Sequence, residues 1–213
     1  MQVRLLPCGE TATLIEVADG AAVSAVVAAL VGGGDAATPA AGIVEVVPAA
    51  RTVLVRYAQA ATMAAQRAAL EALLAQADPT PPPALGERTV RVPVSYDGPD
   101  LDVVAELTGL TVADVVSAHT GLPWRVAFGG FAPGFAYLTD GDPRLRVPRR
   151  AEPRPAVPAG AVGLADEYSG IYPRATPGGW QLLGRTGVPV WDSHRHPPAL
   201  LRPGWWVQFE VAR

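Results

Sequence analysis

Apolar and polar residues along the first third of the chain change period in a fixed order. Val3–Leu6 and Thr11–Val17 are short apolar runs broken at Pro7-Cys8-Gly9-Glu10, which predicts a strand pair. Ala21–Val31 predicts a helix stopped by Gly32-Gly33-Gly34. A second strand pair follows, Ile43–Val47 and Thr52–Tyr57. Ala60–Ala77 then repeats apolar residues at helical spacing, with Met63, Ala64, Arg67, Leu70, Leu73 and Leu74 on one face. The order β-β-α-β-β-α points to a small α+β sandwich over residues 1–80.

Asp78-Pro-Thr-Pro-Pro-Pro-Ala-Leu-Gly86 interrupts this pattern. Four prolines there exclude a helix or a central strand and predict a stiff linker, with a boundary over 81–88. Arg88–Val94 alternates as a strand, and Leu101–Leu107 and Val112–His119 read as two short helices. Thr111 is placed to cap the second, with Asp114 three residues on in a capping-box arrangement. From Trp124 onward short apolar runs alternate with Gly and Pro, which predicts an all-β barrel or sandwich over 89–213.

Within that half, Val126-Ala-Phe-Gly-Gly-Phe-Ala-Pro-Gly-Phe-Ala-Tyr-Leu138 departs from an ordinary strand. Its three glycines and one proline each weaken a ladder, so the backbone is expected to bend sharply or to let another group approach closely. Arg, Tyr, Trp and Gln set among rigid turns recur in Pro148-Arg149-Arg150, Gly170-Ile-Tyr-Pro173 and Thr176–Thr186. Together they read as a built pocket.

Composition narrows the chemistry. The chain has 213 residues, 49% of them apolar, ample for one sizeable core or two smaller ones. No apolar run reaches membrane-spanning length and no secretory signal is recognisable, so a cytoplasmic location without a membrane partner is expected. A net charge of −3 gives no general attraction to nucleic acid. All 17 basic residues are Arg, which excludes a Schiff-base lysine, a P-loop lysine, and a biotin or lipoyl attachment site. The single cysteine, Cys8, forms no intramolecular disulfide and is expected to be a small buried hydrophobe. Asp192-Ser-His-Arg-His196 has no clear third metal ligand, and no serine sits in a nucleophile elbow.

The motifs Phe131-Ala-Pro-Gly-Phe-Ala-Tyr-Leu138, Asp142-Pro-Arg-Leu145, Pro158-Ala-Gly160, Gly170-Ile-Tyr-Pro173 and Pro177-Gly-Gly-Trp-Gln-Leu-Leu-Gly-Arg-Thr186 resemble the family of 5-oxoprolinase B-type subunits. It is also named allophanate hydrolase subunit 1, the kinase-inhibitor KipI type, or carboxyltransferase subdomains C and D. Gly9-Glu-Thr-Ala12, Val46-Val-Pro-Ala49 and Tyr96–Leu101 echo it upstream. The resemblance implies a cyclophilin-like β-barrel after the small α+β domain. It also implies ATP-dependent opening of 5-oxoproline to glutamate by a multi-subunit enzyme. The implied partners are a C-type protein of the allophanate hydrolase subunit 2 family and an A-type protein, and ATP is used by the complex. Kinase-inhibiting binding, carboxyl transfer from a biotin carrier, and amide hydrolysis of allophanate or urea remain as alternatives. Thr139-Asp-Gly141 and Glu167-Tyr-Ser169 depart from the family pattern near the expected pocket rim.

Residue types then suggest roles. Arg149 and Arg185 carry the planar fork that matches a carboxylate or phosphate and are candidates for an anion clamp. Gln181 is placed either to hold a lactam by its amide or to satisfy a neighbouring loop's backbone. Tyr172 either sets its hydroxyl at the pocket edge or packs as an ordinary half-buried tyrosine. Phe131, Pro133, Phe135 and Trp180 are expected to form a dry wall. His119, where the family tends to have a histidine, ends a helix whose dipole favours its cation; it is either a site residue or a structural cap. No metal site is assigned.

Overall fold

The computed structural model describes residues 2–31, 42–59, 63–75 and 88–212. The chain divides into two compact units, Met1–Pro83 and Ala84–Arg213. Among the described residues, no helix is long and apolar enough to cross a membrane.

In the first unit, β1 (Val3–Pro7), β2 (Ala12–Val17), β3 (Ile43–Pro48) and β4 (Thr52–Tyr57) form an antiparallel sheet in the order β1-β2-β4-β3. Two helices accompany it, α1 (Gly20–Val31) and α2 (Met63–Leu74). Strand periodicity puts Ile15, Val17, Val53 and Val55 on the buried face. Val23, Val26 and Leu30 of α1 and Leu70 and Leu74 of α2 complete that core. Arg67 does not join the apolar face: it is exposed and pairs with Glu71 at 2.8 Å. Cys8 is exposed rather than buried, because it lies in the turn after β1, beyond the last paired residue, Pro7. The glycine stop and the proline-rich linker lie outside the described residues.

The second unit is built on seven strands, β5 (Thr89–Val94), β6 (Trp124–Gly129), β7 (Ala136–Thr139), β9 (Ala161–Ala165), β10 (Tyr168–Ile171), β12 (Gln181–Arg185) and β13 (Trp206–Val211). They form one sheet in the order β12-β9-β10-β7-β6-β13-β5. β13 and β5 pair in parallel, from Trp206 opposite Thr89 to Val211 opposite Val94. The two edges nearly meet: Ser95, just past β5, and Arg185, at the end of β12, exchange both backbone hydrogen bonds at 2.8 and 2.9 Å. The sheet is therefore barrel-like, as the short strands and glycines predict. β8 (Arg154–Val157) and β11 (Thr176–Gly178) form a separate pair.

Two short helices precede β6, namely α3 (Leu101–Thr108) and α4 (Val112–Gly121). The capping box is present: Thr111 Oγ1 accepts from the Asp114 N–H at 3.1 Å, and the Asp114 carboxylate accepts from the Thr111 N–H at 3.4 Å. Val104, Val115 and Ala118 turn inward from these helices. They meet Val92, Val94, Val126, Leu138, Val162, Leu164, Leu183, Val207 and Phe209 in the barrel core. Each Val, Leu or Phe side chain among them, fully buried, contributes roughly 1.5–3 kcal/mol.

Strand β9 is buried on both sides. Val162 and Leu164 face the barrel core, whereas Ala161 and Ala165 face a second cluster with Phe135, Val157, Tyr172, Trp180 and Leu182. This explains why β9, Ala-Val-Gly-Leu-Ala, shows no polar alternation. The outer cluster is where the aromatic and glycine-rich motifs come together.

Candidate functional site

The turn Phe131-Ala-Pro-Gly134 brings the chain from β6 into β7. Gly134 takes φ +85°, and a Cβ there would lie 2.6 Å from Cβ of Trp191, so only glycine fits. Phe131, a non-glycine residue, also sits in the left-handed region at φ 66°. Such a conformation is uncommon and costs about 1–3 kcal/mol. It leaves the ring 60% exposed at the mouth of a cleft.

Phe131, Phe135, Tyr137, Arg149, Tyr172, Gly178 and Trp180 line that cleft. Its rings meet edge to face: Phe135 lies 5.3 Å from Phe131, Tyr172 and Trp180, and Tyr137 lies 5.6 Å from Trp180. This is the geometry that ring quadrupoles favour. Gly178 is required for the same packing, since a Cβ there would stand 2.4 Å from the Tyr172 hydroxyl oxygen. The enclosed volume is only about 20 Å³. That holds about one water molecule, so a larger ligand would lie across the mouth against Phe131 and Arg149.

Arg149 gives the cleft its charge. It is exposed and has no hydrogen-bond or ion-pair partner among the described residues. Burial pushes the phenols of Tyr137 and Tyr172 up, and the Arg149 charge pulls both back only in part. For Tyr172 a hydrogen bond from the Trp180 backbone also pulls down, more than Arg149 does. At neutral pH both tyrosines thus keep their protons. The cleft presents one unneutralised guanidinium, two protonated phenols and aromatic walls. That set suits a small anion with a compact apolar body.

The sequence-predicted residues divide on this geometry. Arg149, Tyr172, Phe131, Phe135 and Trp180 come together, and Tyr137 joins them. Pro133 is exposed and shapes the turn without lining the cleft. Gln181 is buried, and its Nε2 donates to the Pro148 carbonyl at 3.1 Å; of its two readings, the backbone-satisfying one matches this contact. Arg185 is exposed and donates from Nε to Asp97 at 2.9 Å, outside the cleft lining.

His119 corrects the expectation of a cation at the end of α4. It is fully buried and stacks on Phe209 with ring centroids 4.3 Å apart. Its Nδ1 lies 2.7 Å from the Tyr96 hydroxyl and its Nε2 2.9 Å from Ser169 Oγ. Burial pushes its pKa down to about 3, so the ring is neutral. The α4 end is satisfied instead by Trp124 Nε1, which donates to the His119 carbonyl at 3.1 Å, and by Gln208, which donates to the Thr120 carbonyl.

Of the departures from the family pattern, Tyr168 packs on Tyr137 with ring centroids 5.5 Å apart, and Ser169 bonds His119. Thr139, Asp140, Gly141 and Glu167 line a different hollow of about 260 Å³ that shares no lining residue with the aromatic cleft. Its charges are already matched, Asp140 by Arg125 at 2.6 Å, Asp142 by Arg144 at 2.5 Å and Glu167 by Arg146 at 3.6 Å.

Sequence reasoning missed Asp100, which is 2% exposed. Its position before α3 looks like an ordinary helix cap. Yet its side chain makes no capping bond, and reaches instead to Arg150, Arg154 and the Leu182 N–H.

The family model for the carboxyltransferase domain, subdomain C and D, matches residues 3–201. The chain belongs to this family. Similar proteins include the 5-oxoprolinase B subunit of Escherichia coli O157:H7, 50% identical over 125 residues, which are 57% of this chain and 57% of that protein. The 5-oxoprolinase B subunit of Bacillus subtilis (strain 168) is 43% identical over 128 residues, 59% of this chain and 53% of that protein. The match therefore spans somewhat over half the length of these relatives. Among solved structures, that of TTHA0988 superposes with a TM-score of 0.74 at 36% identity, covering 95% of this chain and 40% of that one. The matched residues span both units, and the aromatic cleft lies in the second.

Proposed function

We propose that this chain is the B-type member of a multi-subunit, ATP-dependent 5-oxoprolinase and that the Arg149 cleft holds the substrate carboxylate. The observation that carries the reading is a guanidinium without a partner, set among aromatic rings and protonated phenols. It lies in a chain half identical, over its matched stretch, to a protein named as the B subunit of 5-oxoprolinase. We take the seven-stranded sheet to be the cyclophilin-like barrel, the first unit to be the small α+β sandwich, and 81–88 to be the linker. Soluble, cytoplasmic assembly with C-type and A-type partner proteins belongs to the same proposal.

A lactam amide is a poor electrophile. Transfer of the γ-phosphoryl group of ATP to the lactam oxygen would release ADP and make the ring carbon attackable by water. Opening of the ring C–N bond, with a proton passing to the nitrogen, would leave γ-glutamyl phosphate, and a second water would release phosphate and free glutamate. This chain's residues serve the first requirement, orientation. Arg149 pairs with the carboxylate, the Tyr137 and Tyr172 hydroxyls donate, and Phe131 and Trp180 cover the ring carbons. A nucleoside triphosphate does not suit this cleft, which offers a single free guanidinium to its several negative charges. We take ATP to be held outside this cleft in the assembled complex, and a partner surface to close the open mouth.

The test is co-expression with C-type and A-type partner proteins, followed by assay of the assembled complex with 5-oxo-L-proline, allophanate and urea, each with and without ATP. ATP-dependent glutamate release by the complex, and none by the chain alone, is expected. Turnover of allophanate or urea but not of 5-oxo-L-proline overturns the substrate, and full turnover with Arg149→Ala overturns the site.

A further inference from the structure

Arg149 stands in a short strap, Val147–Arg154, that carries three arginines within six residues, Arg149, Arg150 and Arg154. Only Arg149 lines the cleft and only Arg149 lacks a partner among the described residues. The other two converge on one carboxylate. Asp100 Oδ1 accepts from Arg150 Nη1 at 3.0 Å and from Arg154 Nη2 at 2.7 Å, while Oδ2 accepts from the Leu182 N–H at 2.7 Å. The Asp100 backbone is used as well: its N–H donates to the Leu182 carbonyl at 3.1 Å and its carbonyl accepts from Val104 at 2.8 Å. Asp100 is thus locked between the start of α3 and β12, and it reaches out to the strap.

The strap is fixed on each side of Arg149. Val147 exchanges two backbone bonds with Asp166, at 3.3 and 2.7 Å. The Pro148 carbonyl takes the Gln181 amide at 3.1 Å, and the Arg150 N–H donates to the Gly179 carbonyl at 2.8 Å. Residue 149 is held at its neighbours and left free at its own side chain.

We propose that Asp100 is a positioning residue for Arg149, with Gln181 as its second support; this rests on the reading of the cleft as a carboxylate site. Asp100 has two effects. It anchors the strap to β12, which also carries Leu182 of the aromatic cluster, so that Arg149 meets the ligand without first being ordered. It also engages the forks of Arg150 and Arg154, offsetting one of their two charges and holding both side chains off the cleft lining. These side chains are 33% and 20% exposed, and without a carboxylate they would compete with Arg149 for the same anion. The cleft then recognises one negative charge at one place.

The test uses Asp100→Asn, which keeps the shape but replaces one acceptor oxygen by an amide donor. Asparagine cannot accept from the arginines and from the Leu182 N–H at once. Hydrogen exchange of the full chain reads the anchoring without any ligand. Protection of the Arg150 amide is expected to fall by about tenfold or more, with the Val207 and Phe209 amides of the barrel core unchanged. In the assembled complex, KM for 5-oxo-L-proline is expected to rise about tenfold with kcat kept within about twofold. Asp100→Asn should add nothing further to KM in an Arg149→Ala background, because it acts through that side chain. Unchanged exchange at Arg150, or fully additive effects in the double variant, overturns the proposal. Should Arg149→Ala leave KM unchanged, the cleft reading itself fails. The exchange measurement then still decides whether Asp100 holds the strap. If Asp100→Asn does not fold, Gln181→Leu, which removes the second support of the strap, carries the same two measurements, with the same expected and overturning results.

Discussion

Along Phe135–Leu138, Ala136 and Leu138 enter the mainly aliphatic barrel interior whereas Phe135 and Tyr137 enter an aromatic layer outside it. The same division runs along β9 and β12, where Leu164 and Leu183 face inward and Ala165 and Leu182 outward. Each layer holds a polar side chain, and the two are treated in opposite ways. Inside, His119 is fully buried, neutral and bonded through both ring nitrogens. Outside, Arg149 is charged, exposed and unpartnered among the described residues. A fully satisfied polar group adds to fold stability, and an unsatisfied one at an aromatic cleft is available to a ligand. One sheet thus separates stability from recognition by the alternation of its side chains.

The strongest challenge to that division is Leu138→Ala. Leu138 is wholly buried in the inner layer, so the change should cost about 2–5 kcal/mol in urea unfolding. A loss below about 1 kcal/mol would show that the inner layer is not the folding core.

His119 sharpens the comparison through pH. Its folded pKa, about 3, lies below the ordinary 6.5. The unfolded chain therefore binds the extra proton first as pH falls, and stability should decline between pH 6.5 and about 3. The slope for this one group is at most about 1.4 kcal/mol per pH unit. Comparing wild type with His119→Asn across that range isolates it. Parallel stability curves for the two proteins would mean that His119 is not buried neutral.

Arg149→Ala should act in the opposite sense. Stability should stay within about 0.5 kcal/mol of wild type, while affinity of the complex for 5-oxo-L-proline falls by about tenfold or more. Comparable losses in both would erase the distinction between the layers.

The smallest effect is expected for Arg185→Lys. Arg185 and Asp97 are 72% and 50% exposed, and such pairs contribute about 0–1 kcal/mol. Both stability and KM should hardly move. Loss of turnover with folding intact would return Arg185 to the site.

Legibility in the sequence followed distance along the chain. The Thr111–Asp114 capping box spans three residues and was readable. So were the β-β-α-β-β-α order and the clustering of Phe131, Phe135, Tyr172 and Trp180, since apolar periodicity and glycine-rich turns are local signals. Cys8 misled because an apolar run before it did not extend its ladder through it. Asp100 was not readable: its partners lie 50, 54 and 82 residues away, and the chain around it resembles a plain helix start.

The sequence by itself determined the chemistry available to this protein. Without lysine, and with one cysteine, it left arginine, tyrosine, histidine and amide groups as the candidate ligand contacts. Its periodicities and caps determined most elements, because those depend on neighbours within a few residues. Which arginine stays free was decided only by the tertiary structure. Arg149, Arg150, Arg154 and Arg185 are alike as sequence, but ion pairing depends on separations of a few ångströms between remote segments. The fold brings Asp100 to two of them and Asp97 to a third, and leaves Arg149 facing the cleft.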